Sequence, residues 1–177
     1  MTGSESTRTA ANRPAHLHVS WADYNAAIER LAATVRDAGW EFNQIICVAR
    51  GGMRVGDVLS RLFKVPLAII STQSYTGEAG TARVEITVAR NHTMTTEALG
   101  ERVLLVDDLV DSGITLDVVK RHLLGEYPGI AAMRTAVIWY KACSNYVPDY
   151  YASYLPASPW IHQPFEKYDT MNPAEIG

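Results

Sequence analysis

Four apolar residues, Val103 to Val106, run straight into a pair of aspartates, Asp107 and Asp108, in the stretch ERVLLVDDLVDSGITLDVVKRHL at 101–123. Alternate side chains of a strand point to opposite sides of its sheet, so a short run with no polar break belongs to a strand buried on both faces. QIICVA at 44–49 has the same character. Each run leads into a glycine-bearing turn and then an amphipathic stretch. Val55, Val58, Leu59 and Leu62 follow the first, and Leu116, Val119 and Leu123 the second. LAIIST at 67–72 and RTAVIWY at 134–140 supply the returning strands. Strand, helix and strand in this order make parallel crossover units. The expected fold is α/β, with a central, mostly parallel sheet flanked by helices.

Around these units the chain divides unevenly. Residues 1–18 are polar and small, and read as a flexible arm. Residues 19–177 read as a single domain, with a core over about 40–142. Ser20 and Asp23 have capping-box spacing, and Tyr24, Ile28, Leu31 and Val35 recur at helical spacing up to Gly39, so 21–38 is a helix. The polar segment 73–100 contains one alternating run, RVEITVA at 83–89, and reads as a long excursion, a hairpin standing off the main sheet. A further strand is expected at 150–154.

The length of 177 residues suits one domain with a real core. A net charge of −3 and a pI near 5.9 argue against a general nucleic-acid or anionic-membrane binder. Cys47 and Cys143 lack zinc-like spacing and read as reduced thiols of a cytoplasmic protein. The start has no apolar signal region, and no run approaches the roughly 20 apolar residues of a membrane helix.

Ligands of open parallel sheets collect beyond the carboxyl ends of the strands. The residues there are Arg50-Gly51-Gly52, then Asp107-Asp108 with Asp111-Ser112-Gly113-Ile114-Thr115, then Lys141. DSGIT opens a helix, where unpaired N–H groups, two hydroxyls and a close-approach glycine suit a phosphate monoester. The plainer reading of such a turn is a helix cap. Two acids beside a phosphate nest make sense when the ligand also offers hydroxyls, or a divalent cation to share. A ribose 5-phosphate offers that combination.

VLLVDDLVDSGITL closely resembles the phosphoribosyl-diphosphate (PRPP) motif of type I phosphoribosyltransferases: four apolar residues, two acids, two variable positions, then D-[ST]-G-x-T. The likeness extends over about 19–166. ARGG at 49–52 is similar to the family's pyrophosphate loop, and Ser74-Tyr75 to its mobile catalytic loop, which 73–100 would form. Lys141 falls where 6-oxopurine enzymes carry a base-reading lysine. WIHQPFE at 160–166 is similar to the tail of the bacterial xanthine–guanine branch, in a small carboxy-terminal hood over 143–177.

The resemblance implies Mg2+-dependent transfer of 5-phosphoribosyl from PRPP to hypoxanthine, guanine or xanthine. Arg50, Gly51 and Gly52 would hold pyrophosphate, through a loop with a non-proline cis peptide. Asp107 and Asp108 would hold the ribose, and Asp111, Ser112, Gly113, Ile114 and Thr115 the 5′-phosphate. Asp111 is the candidate general base. Lys141, Trp160 and the Ile161 carbonyl would read the purine, and Asp107, Asp108 and Glu166 would share the metal. Family likeness also implies a homodimer or homotetramer. His162 departs from the pattern, standing where the xanthine–guanine branch carries an acid. The alternatives are a PRPP-sensing regulator without chemistry, which would have no need of Arg50, Lys141 or the aromatic tail, and a phosphoribosyltransferase for another base. A phospho-receiver domain also ends a strand in LLVDD, but near its start and with an acid ending a later strand, which IWYK lacks.

Overall fold

The computed structural model describes residues 16–76 and 84–176. Its main sheet has six strands in the order β4-β3-β2-β5-β6-β7. These are β2 (Gln44–Ala49), β3 (Leu67–Thr76), β4 (Val84–Val88), β5 (Arg102–Val110), β6 (Ala132–Lys141) and β7 (Tyr150–Leu155). All neighbours are parallel except β3 and β4. The helices are α1 (Trp21–Asp37), α2 (Met53–Phe63), α3 (Ile114–Glu126) and the short α4 (Lys167–Thr170).

The unbroken apolar runs are buried on both faces, for the reason their pattern gives. Ile45, Cys47, Leu104 and Val106 pack with α1 and α2 on one side. Ile46, Val48, Val103 and Leu105 pack with α3 on the other. Ser20 caps α1 with both bonds of the expected box: Asp23 N donates to Ser20 Oγ at 3.1 Å, and Ser20 N donates back to Asp23 Oδ2.

The excursion at 73–100 divides. Ser71 is the last β3 residue paired with β2, and from Thr72 onward β3 pairs with β4 instead, so a hairpin does project from the sheet edge. The segment after it does not stand off. Thr93 bridges to Ile69, and Met94 and Leu99 pack against the α3-side core. Their apolar surface brings this part of the chain back.

The last three residues of the expected arm are part of the fold. His16–His18 form strand β1, parallel to β8 (Trp160–His162) in a separate two-stranded sheet. Leu17 and Ile161 turn inward to the α1-side core. By strand alternation the paired residues His16 and Trp160, then His18 and His162, share the other face. No helix among the described residues is long and apolar enough to cross a membrane.

Candidate active site

The two aspartates lie inside β5 rather than at its end. β2 leaves β5 at Val106, whereas β6 stays paired as far as Val110. The acids therefore sit on a rim where one neighbouring strand has turned away. Alternation lapses at the same point: Val106 and Leu109 both pack on the α1 side, and Val110 on the α3 side. The lapse lets two consecutive side chains approach one another. Burial and the charge of Asp108 hold the Asp107 carboxyl well above the ordinary carboxylate range. Burial raises Asp108 as well, with a further push from the charge of Glu166.

The loop leaving β2 packs against these acids. Its Ala49–Arg50 peptide is cis, as the sequence likeness implies. A Cβ on Gly51 would lie 2.4 Å from Asp108 Oδ1, and one on Gly52 2.6 Å from the Val106 carbonyl oxygen. Only glycine permits this approach. Arg50 points outward, its Nη2 3.1 Å from Asp169 Oδ1 of α4. It lines a groove of about 720 Å³ with Gly51, Arg54, Phe165, Glu166 and Asp169.

The DSGIT turn forms as its residues dictate. Gly113 has φ +84°, and a Cβ there would meet Tyr146 Cβ at 2.4 Å. The N-cap Gly113 offers α3 no side-chain cap, and apart from Ile114 N, which donates to Ser112 Oγ at 3.4 Å, its first-turn N–H groups are left for another acceptor. A cavity of about 160 Å³ follows the turn from Asp107 to Leu116. The loop between β6 and β7 closes against it, with Asn145 N donating to the Ser112 carbonyl at 3.1 Å.

Lys141, at the end of β6, is 5% exposed, and its Nζ lies 3.1 Å from Asp111 Oδ2. The Cys143 thiol approaches the other Asp111 oxygen at 3.3 Å. Cys143 N donates to Ser158 Oγ at 3.0 Å, which ties this loop to the turn before Trp160. Trp160 is exposed and Ile161 buried. His162 bonds His16 (Nε2 to Nδ1, 2.8 Å) and stacks on His18, with centroids 4.3 Å apart.

The acids, the two glycines and the DSGIT turn are thus gathered on one rim, with Asp111 joined to Lys141. The backbones of Ser74 and Tyr75 pair with Ile86 and Glu85 in the projecting hairpin; residues 77–83 of the expected mobile loop lie outside the described residues. Among the described residues no cluster of three or more His, Cys, Asp or Glu is arranged as a metal site by itself.

Sequence reasoning missed several neighbours. Gln163 Nε2 donates to Asp108 Oδ2. Tyr24 is wholly buried on α1, its hydroxyl held above its ordinary pKa by burial and by the charge of Asp108. Arg54 lies over the Trp21 and Phe165 rings, at 4.8 and 5.6 Å. Gln163 falls in the quoted WIHQPFE tail, but nothing local says which way it turns. Arg54 had a weaker signal, a second arginine four residues after Arg50 and in the first turn of α2.

A family model described as "Phosphoribosyl transferase domain" matches residues 20–170. A xanthine-guanine phosphoribosyltransferase of Gluconobacter oxydans is 30% identical over 162 residues, which span 89% of this chain and 90% of that protein. The purine phosphoribosyltransferase of Pyrococcus horikoshii has a solved structure with a TM-score of 0.71 at 27% identity, covering 89% of this chain and 97% of that one. The Helicobacter pylori xanthine-guanine-hypoxanthine phosphoribosyltransferase gives 0.68 at 26%, covering 87% and 95%.

Proposed function

The chain belongs to the phosphoribosyl transferase domain family, of the type I fold, and on that premise we propose that it transfers 5-phosphoribosyl from PRPP to a 6-oxopurine, releasing pyrophosphate. The observation that carries this reading is the meeting of Asp107 and Asp108 with an uncapped helix start and a glycine pair on one rim. The similarity to purine and xanthine-guanine phosphoribosyltransferases supports the choice of acceptor.

In this reading the Ser112 and Thr115 hydroxyls and the N–H groups of 112–115 hold the 5′-phosphate, at the positive end of α3. Asp107 and Asp108 accept the ribose hydroxyls. The amides of Gly51 and Gly52 and the Arg50 guanidinium hold pyrophosphate, for which Arg50 must leave Asp169. Positive charge grows at the sugar carbon as the bond breaks, so positioning and electrostatics do most of the work. Asp111 takes the proton of the purine's imidazole nitrogen. Lys141 has only donors to offer, which suits a 6-oxo group and opposes the 6-amino group of adenine. Trp160 presents a stacking face, and the Ile161 carbonyl faces an exocyclic amine. The hairpin bearing Ser74 and Tyr75 closes over the sugar and keeps water from it.

Two adjoining carboxylates with raised proton affinity, and Glu166 within electrostatic reach, make an oxygen donor set that fits Mg2+. Asp107, Asp108 and Glu166 would hold the ion, and it would supply charge that neutralises the pyrophosphate. His162 engages other imidazoles and places no carboxylate beside the purine's 2-substituent, in favour of hypoxanthine and guanine within the class.

Incubation with PRPP, Mg2+ and each of hypoxanthine, guanine, xanthine, adenine and uracil, with pyrophosphate release as the readout, tests the proposal. Release with one or more 6-oxopurines and little with adenine or uracil is expected. No release with any base, or equal release with adenine, contradicts it.

A further inference from the structure

We propose that Gln163 is a positioning residue for the sugar-binding acid, a strut that sets the Asp108 carboxylate and ties it to the segment carrying Trp160 and Ile161. The inference rests on the phosphoribosyl-transfer reading of the site. Gln163 is 6% exposed, so water cannot readily replace its contact. Its Nε2 donates to Asp108 Oδ2 across 55 residues of sequence, a bond to an ionisable acceptor and so stronger than one between neutral groups when that acceptor is charged. Asp108 Oδ1 meanwhile lies where a Gly51 Cβ would collide, at 2.4 Å. The whole carboxyl group of Asp108 thus occupies space that a side chain at position 51 would fill, and Gln163 fixes its Oδ2.

The strut is anchored on both sides. His162 O accepts from Val19 N at 3.0 Å, and Gln163 O accepts from Glu166 N at 3.1 Å. Ile161, two residues before it, is packed into the core. A displacement of β8 is therefore carried to Asp108 through a short, well-held path. A structural glutamine of this fold behaves differently: Gln44 donates to the Ile45 and Pro66 carbonyls, at 3.0 and 2.9 Å. Gln163 instead donates to a site acid, and its Oε1 is buried without a hydrogen-bond partner among the described residues. The Tyr24 hydroxyl, which feels the charge of Asp108, is likewise buried and unpartnered. Tertiary packing alone does not require an amide at this position; holding the carboxylate does.

The test compares Gln163→Met, which keeps length but loses the donor, with Gln163→Glu, which keeps volume and sets a second carboxylate against Asp108. Each is made in the wild type and in an Asp108→Asn background. Either variant that folds decides the matter. Loss of a buried bond to a charged group should raise the KM for PRPP about tenfold or more. The purine KM should change little, and the Tm should fall only by what one lost buried hydrogen bond costs. In the Asp108→Asn background the Gln163→Met substitution should add less than about twofold, since its partner is already altered. An unchanged KM for PRPP, an equal effect in both backgrounds, or parallel losses for both substrates with a lower Tm overturns the proposal while the transfer reading stands. A wild type that turns over no purine overturns that reading, and the strut with it.

Discussion

The Nζ of Lys141 lies 3.1 Å from Oδ2 of Asp111, a buried amine meeting a half-exposed carboxylate across 30 residues of sequence. Strand β6 and the turn after β5 bring them together. Both are assigned to the purine in the proposed reaction, one to its 6-oxo group and one to its imidazole nitrogen. In the structure each occupies the other, so the purine must enter between them or displace the bond.

Asp111→Asn removes the proton acceptor while keeping the side chain's shape. Turnover should fall by roughly 10²-fold or more, with PRPP affinity by calorimetry largely retained. An unchanged kcat would remove Asp111 from its assigned role.

Lys141→Met fills a similar volume without a donor. It leaves Asp111 facing water, its side chain being 56% exposed, so no buried charge is orphaned. The expected outcome is a Tm equal to or above wild type, together with a lower kcat/KM for hypoxanthine relative to adenine. Equal ratios before and after would contradict the assignment of Lys141 to the 6-oxo group.

Asp107 gives a stability signature. Burial and the charge of Asp108 raise its folded pKa above the unfolded value of about 3.9. The folded state then binds the proton more tightly, so stability is greatest below the unfolded pKa and declines as pH rises through the folded one. Asp107→Asn lacks that decline. In thermal melts without ligand or metal, the Tm of the variant minus that of wild type should grow from about pH 4 to about pH 8. A constant difference would contradict the burial of this carboxyl.

The two thiols differ as sharply. Cys47 is wholly buried in β2, and burial pushes its thiol up to about 12, whereas Cys143 is exposed beside Asp111. A thiol reagent at neutral pH should modify Cys143 quickly and Cys47 only after unfolding. Rapid reaction of both in the native protein would be inconsistent with the core described.

The parts of this molecule legible in sequence are those with local causes. Val103 to Val106 and Ile45 to Val48 announced strands buried on both faces because nothing polar interrupts them. Ser20 and Asp23 announced a helix start. Gly113 announced a turn whose φ only glycine adopts easily. What escaped is long-range. The pairing of His16–His18 with Trp160–His162 spans too few residues to show a period. The lapse of alternation at Asp107 and Asp108 follows from where β2 departs, which β5's own sequence does not encode. The same holds for the aim of Gln163. Residues 16–18 of the expected arm form a strand because Leu17 has a core to join.

In the proposed reaction this rim binds PRPP through its paired acids. Calorimetric titration with PRPP and Mg2+ of the wild type and of the Asp107→Asn/Asp108→Asn double variant tests it most directly. Saturable binding by the wild type and at least about tenfold weaker binding by the variant are expected. Absence of heat with the wild type, or equal affinity in the two proteins, would contradict it.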